Sequence, residues 1–163
     1  MHIKSTSLSA EAFAPFGDVV EARGDRTVDI NEGTSTRFHD LARIDVELEN
    51  GRPLVNIFRA SPYPKPLTLK MMEKHPLGSQ LFMPLEKHAY LVAVAPAGEE
   101  VHSEDLVVFL AQGDQGVNFH PGTWHHPLLV LAEKQDFLVI DRGGKGDNLI
   151  ERTLDEPVSV AIE

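Results

Sequence analysis

The chain has 163 residues, no cysteine, eight histidines and a formal charge of −10. Without thiols, it has no disulfides, thiolate zinc centres, iron–sulfur clusters or cysteine nucleophiles, so a bound metal would draw on imidazole and carboxylate. So acidic a chain has no pull towards nucleic acid or an anionic membrane, and its length suits one domain over 1–163.

Eleven prolines and twelve glycines are scattered along the chain, the pattern of many short elements joined by turns. Residues 3–7 read as a short strand. Ser9 is placed to cap one helical turn over 10–13, which Pro15 and Gly17 stop. Residues 24–39 are polar and weakly periodic, and read as a long loop with at most a short strand. Strand signals then dominate: 54–60, an alternating stretch in which Leu67, Leu69 and Met71 share one face, then 81–85, 90–95, 117–120, 128–131, 137–141 and 158–162. Between these, Ser103-Glu104-Asp105 resembles an N-cap with an acidic first turn and Gly113 a stop, which predicts a helix from 103 to 113. Many short strands, few helices and no strand–helix–strand alternation favour a sandwich or barrel. The first sixteen residues lack the apolar stretch of a signal peptide, and no run approaches the roughly 20 apolar residues that span a bilayer. A soluble, cytoplasmic protein is expected.

Two clusters concentrate chemistry. The first is Glu73-Lys74-His75-Pro76-Leu77-Gly78-Ser79-Gln80. Extending the alternation of Leu69 and Met71 puts Glu73 and His75 on the same inward face, where polar groups cost energy unless paired or coordinated. A turn over 76–79 returns Gln80 to the same space, so an acid, an imidazole and an amide converge. The second is His120-Pro121-Gly122-Thr123-Trp124-His125-His126-Pro127, whose Pro-Gly marks a tight turn between strands. His125 and His126 are neighbours, so on a strand they point to opposite faces and only one serves this site. His2, His88 and His102 stand alone and read as surface or satisfied core residues. Asp141-Arg142-Gly143-Gly144 lacks the lysine and strand–helix setting of a phosphate loop and reads as a turn.

Glu73-x-His75 followed by Gln80 resembles the first cupin motif, H-x-H with a later Glu. His120-x-Gly122-x-x-His125 resembles the second, P-x-G-x-x-H. The wording of Phe58-Arg59-Ala60, of Glu73 to Gln80, of Gly116-Val117-Asn118-Phe119-His120, of Trp124-His125-His126-Pro127-Leu128 and of Asp136 to Gly144 is similar to the ureidoglycolate lyase family of allantoin catabolism. The likeness runs along nearly the whole chain. It implies a mainly β fold, a cupin-type double-stranded β-helix (jelly-roll) barrel with a few short helices, and a homodimer. It implies a carbon–nitrogen lyase that takes (S)-ureidoglycolate to glyoxylate and urea, with a divalent metal, nickel, as cofactor. It gives Glu73, His75, Gln80 and His125 the ligand positions.

Cleaving this hemiaminal requires a base for the hydroxyl proton and an acid for the departing nitrogen. No nucleophile is needed, in keeping with a chain that lacks cysteine. Glu73, His120 and His125 are the candidate catalytic groups, with Glu73 or His120 moving the proton where not bound to metal. Arg59 and Arg142 are candidates for the substrate carboxylate, which a guanidinium matches bidentately. Asn118 is the candidate reader of the urea amide, and His126 a further substrate-binding candidate. Arg59 reads equally as a structural ion pair, and Gln80 as a strand amide bonded to backbone. The competing functions are another cupin metal enzyme, an isomerase or dioxygenase on a small organic acid, and a non-catalytic ligand-binding module. Glu73 in place of a first histidine counts against an iron oxygenase.

Overall fold

Alternating apolar residues and frequent turns build fifteen strands in the computed structural model, which describes residues 1–162. In chain order they are β1 (His2–Lys4), β2 (Thr6–Ser7), β3 (Gly17–Val20), β4 (Thr27–Ile30), β5 (Ser35–Phe38), β6 (Arg52–Ala60), β7 (Thr68–Lys74), β8 (Gln80–Pro84), β9 (Tyr90–Ala95), β10 (Val107–Ala111), β11 (Gly116–Phe119), β12 (Trp124–His125), β13 (Leu129–Val130), β14 (Gln135–Gly143) and β15 (Ile150–Ala161). One helical turn, α1 (Ala10–Phe13), is capped by Ser9, whose hydroxyl accepts from the Ala12 N–H at 3.2 Å.

The larger sheet runs β1-β15-β7-β12-β9-β10-β2, with β13 also on β9; the smaller runs β3-β11-β8-β14-β6. Together they form a nearly closed, barrel-like β structure with few short helices, as a cupin barrel requires. Among the described residues no helix is long and apolar enough to cross a membrane.

Strand β9 explains the packing. All six of its residues are buried, so it reads as a continuous apolar run rather than an alternating one. Tyr90, Val92 and Val94 pack with Phe82, Val117, Phe119, Phe137 and Val139, which come from the facing sheet. Leu91, Ala93 and Ala95 join a second cluster with Leu69, Met72, Trp124 and Val158. The depression described below opens beside the first of these cores.

Four expectations are corrected. Residues 103–113 do not form a helix: a 3-10 turn at Ser103–Asp105 gives way to β10. The acidic turn forms, with the Asp105 carboxylate accepting the His102 N–H at 2.9 Å, but Ser103 is not its cap, since its hydroxyl donates to Asp155 and the Glu156 carbonyl. However, Val107, Val108 and Phe109 pair across β9 instead of coiling, as β-branched and aromatic residues favour. Residues 24–39 hold a hairpin, β4 with β5. Residues 3–7 divide into β1, parallel to β15, and β2, parallel to β10. The register of β7 on β15 shifts between Thr153 and Val158, and Leu69 and Met72, three apart, both turn into the second core, so Leu69 and Glu73 do not share the face that unbroken alternation predicts.

Candidate active site

Glu73 and His125 face one another across the β7–β12 pair. Met72 and Trp124, their sequence neighbours, turn the other way into the second core, so alternation sends Glu73 and His125 towards the facing sheet. His75 follows two residues after Glu73, just past the end of β7. The Phe119 ring of β11 stacks flat on His125, with centroids 4.3 Å apart and planes 9° apart. Glu73 Oε1 lies 3.5 Å from His125 Nε2 and 3.9 Å from His75 Nε2.

Both imidazoles are held by backbone. His75 Nδ1 lies 2.6 Å from the Asn148 carbonyl oxygen, and His125 Nδ1 lies 3.0 Å from that of Thr123. A carbonyl oxygen only accepts, so each Nδ1 carries the hydrogen and, in the neutral ring, each Nε2 presents a lone pair. Two lone pairs and a carboxylate oxygen therefore converge within 4.8 Å of one another. Acceptors facing acceptors are unfavourable unless a proton or cation joins them. Consistent with this, His75 Nε2 and His125 Nε2 are buried with no hydrogen-bond partner, as is Gln80 Oε1. Histidines that ligate metals usually donate their other ring N–H in this way, and mixed imidazole and carboxylate donors suit nickel, zinc, manganese or iron. The residues present fit a divalent cation.

The surroundings tune these groups. Burial raises the Glu73 carboxyl, but His125 beside it, with His75 and His126, pulls it below its ordinary value. Burial, reinforced by His125, pushes the His75 imidazole down. Burial also lowers His126, which therefore favours the neutral ring.

An open depression of about 380 Å³ adjoins the cluster, lined by Phe58, Tyr63, Glu73, Gln80, Phe82 and Leu128 among others. That is room enough for a small organic acid. His126 also borders the Glu73–His125 pair. The expected opposition of His125 and His126 fails because β12 ends at His125 and the chain bends into Pro127, with His126 Nδ1 2.9 Å from the Pro127 carbonyl. Tyr63 packs edge-on against His126, with ring centroids 5.1 Å apart.

A family model described as ureidoglycolate lyase matches residues 1–161. The chain belongs to the ureidoglycolate lyase family. Curated relatives named ureidoglycolate lyase include one from Burkholderia mallei (strain NCTC 10229), 54% identical over 149 residues, covering 91% of this chain and 87% of the relative. Another, from Pseudomonas syringae pv. syringae, is 47% identical over 156 residues, covering 96% and 92%. A third, from Brucella anthropi, is 49% identical over 156 residues, covering 93% and 90%. This chain is therefore a lyase of that family.

Of the residues that the ureidoglycolate lyase resemblance singles out, the fold brings Glu73, His75, Gln80, His125 and His126 together. Three others point elsewhere and a fourth, Arg59, stays at the rim. His120 lies on the outer surface, 44% exposed, with Nε2 3.3 Å from Asp18 Oδ2. It opens onto a separate depression with Ala10 and Arg26. Asn118 is fully buried on the face of β11 opposite Val117 and Phe119. Its amide donates to Asp18 at 2.9 Å and to the Arg43 carbonyl at 2.8 Å, so its donors tie down the chain before β6. Arg142 is buried, and its guanidinium donates to the carbonyls of Leu48, Glu49 and Lys145, leaving no fork for a carboxylate. Arg59 reaches only the rim: its fork is held by Asp136 at 2.8 and 3.0 Å across the β6–β14 pair.

Sequence reasoning missed three contributors. Tyr63 sits in a proline-rich connection with no periodicity to place it. Asn148 holds the turn after β7 from both ends, accepting the Leu77 N–H at 2.8 Å through its side chain and facing His75 through its carbonyl. Asp141, read as the end of the strand over 137–141 and the start of a turn, accepts from Gln80.

Proposed function

We propose that this chain cleaves (S)-ureidoglycolate to glyoxylate and urea in the cytoplasm, as a step of allantoin breakdown, and that residues 1–163 act as one domain. The observation that carries the reading is the meeting of Glu73, His75 and His125 with two fixed, unpartnered Nε2 atoms in a family of this activity.

The reaction moves protons and one bonding pair. The hydroxyl O–H gives up its proton, its electrons form the carbonyl, the carbon–nitrogen bond breaks, and the departing nitrogen takes a proton. No water is consumed and nothing is oxidised. The substrate is an anion, yet no free guanidinium or ammonium is among the lining side chains, since Arg59 is paired with Asp136. Glu73, His75 and His125, with the Gln80 oxygen as fourth donor, would hold a divalent cation, nickel by family likeness, which when bound would supply the positive charge that lowers the hydroxyl pKa. His126 is kept neutral by burial, and with Nδ1 turned to a carbonyl its Nε2 is free to take the hydroxyl proton. Tyr63, packed against His126, gives its phenolic proton to the departing nitrogen. Transfer from His126 to Tyr63 then restores both.

We also propose a homodimer. On the outer face of the smaller sheet, Val55, Ile140 and Leu81 form one cross-strand row, and Ile57, Leu138 and Met83 the next. Val55 is 71% and Ile57 56% exposed, an apolar face suited to a second copy.

The test is product analysis on racemic ureidoglycolate with and without chelator. Urea and glyoxylate should form from one enantiomer, cease on chelation and return with nickel. His75→Ala or His125→Ala should lose at least about 100-fold in rate. Full activity after complete metal removal overturns the cation's role and leaves the lyase reading standing. No urea, or oxygen uptake in its place, overturns the lyase reading itself.

A further inference from the structure

Gln80 presents a problem of choice. Its side chain ends in an oxygen and an NH2 of nearly equal size, so the two can exchange places by a half-turn. One orientation offers the site an acceptor and the other a donor, which a cation repels. Something must select between them.

We propose that Asp141, itself fixed by Asn56, is a positioning residue that turns the oxygen of Gln80 towards the Glu73–His75–His125 cluster. This rests on the reading that the cluster holds a cation. The three side chains cross neighbouring strands of the smaller sheet. On β8, Gln80 is two residues before Phe82; on β14, Asp141 is two after Val139; on β6, Asn56 is two before Phe58. Phe82 and Val139 lie in the inner core and Phe58 packs on Phe82, so all three polar residues face inwards. Gln80 and Asp141 fall one step beyond the last ladder pair, Leu81 with Ile140, and Asn56 lies opposite Val139.

The bonds run in one direction. Asn56 Nδ2 donates to Asp141 Oδ1 at 3.0 Å, and Gln80 Nε2 donates to Asp141 Oδ2 at 3.2 Å. A carboxylate can only accept, so it admits Gln80 by its NH2 end alone. The amide oxygen is left buried and without a partner, and Gln80 shares the lining of the depression with Glu73. Gln80 also pairs across β8–β11 with Phe119, the residue stacked on His125, so its backbone is anchored beside the cluster. A neutral oxygen here adds a donor without adding charge. A divalent cation held with Glu73 as the one anionic ligand keeps a net positive charge for an anionic substrate.

The test is a double-mutant cycle read by nickel binding in calorimetry, with Asp141→Asn, Gln80→Leu and the pair together. Asp141→Asn permits either amide orientation and should weaken nickel binding about 10-fold. In the Gln80→Leu background the same change should have almost no further effect. Equal losses in both backgrounds would mean that Asp141 acts by charge alone, and would overturn the proposal. Gln80→Glu with Asp141→Asn conserves total charge, gives the carboxylate a donor and should restore nickel binding. Failure to restore it, in a protein with wild-type melting behaviour, also counts against the proposal. The second readout is the Gln80 side-chain amide in ¹⁵N spectra, which should shift in Asp141→Asn. An unmoved resonance overturns the positioning role whether or not nickel binds. A wild-type protein that takes up no nickel overturns the cation reading separately.

Discussion

Tyr63 carries the one phenol on the rim of the depression, because the other tyrosine, Tyr90, is buried and donates to the Gln115 carbonyl at 2.7 Å. Burial and the nearby Glu73 charge raise the Tyr63 hydroxyl, which keeps it protonated at neutral pH. Tyr63→Phe keeps the ring against His126 and removes only the proton. It should lower kcat about 100-fold with KM little changed, measured by steady-state urea release. The Asp155 carboxyl is held at about 2 by hydrogen bonds from the Ser103 hydroxyl and backbone N–H. A folded value below the ordinary carboxylate range contributes stability that is fully present above about pH 5. That stability is lost as pH falls towards 2. Denaturation of Asp155→Asn against wild type should therefore show a constant gap at neutral pH that closes between pH 4 and 2. At this scale the sequence was legible only in part. Glu73 and His75, two positions apart, do meet, but not on the face of Leu69, which turns with Met72 into the second core. His120 and Asn118 turn away from the cluster because parity on β11 commits Phe119 to the inner face, and nothing in one sequence says which parity is inner.

Elements were legible where a single signal governed them. The Ser9 cap, the run of β9 and the turn between β7 and β8 were all readable from local composition. The 103–113 segment was not, because its cap and its interior gave opposite instructions and the pairing with β9 decided between them. The first part of β15, before Val158, was hidden by Glu151, Arg152, Asp155, Glu156 and Pro157, whose polarity suits an exposed strand as well as a loop. Arg142 illustrates a role that no local pattern reveals. It threads between the turn at Leu48–Asn50 and Gly78, where a Cβ would come within 2.7 Å of its own Cβ. Arg142→Ala should cost about 3 kcal/mol in urea denaturation, because charged hydrogen bonds are lost and carbonyls are left without donors. Gly78→Ala should also destabilise, by forcing that side chain aside.

For the whole molecule, short strands and the missing strand–helix alternation were enough to read a sandwich or barrel, and the likeness to the family chose the barrel. The surface was not readable in this way. Alternation in β6 shows that Val55 and Ile57 share a face, but only the sheet order reveals that Leu138, Ile140 and Met83 extend it into a patch. Ile57→Lys places charge in that patch and should shift the species seen by sedimentation velocity from dimer to monomer, with the far-ultraviolet spectrum unchanged. The same ladders bear on how the chain reaches its folded state. Residues 52–60 pair with 135–143, and 68–74 with 150–159, so few of the stabilising pairings are local. Closing such large loops before any contact rewards it places folding in the slow, millisecond-to-second range. The cluster draws Glu73 from one ladder and His125 from a two-residue strand that docks between its neighbours. A cation captured there would therefore engage the chain after the rate-limiting step. It would leave the folding rate unchanged and slow unfolding, lengthening the lifetime of the native enzyme.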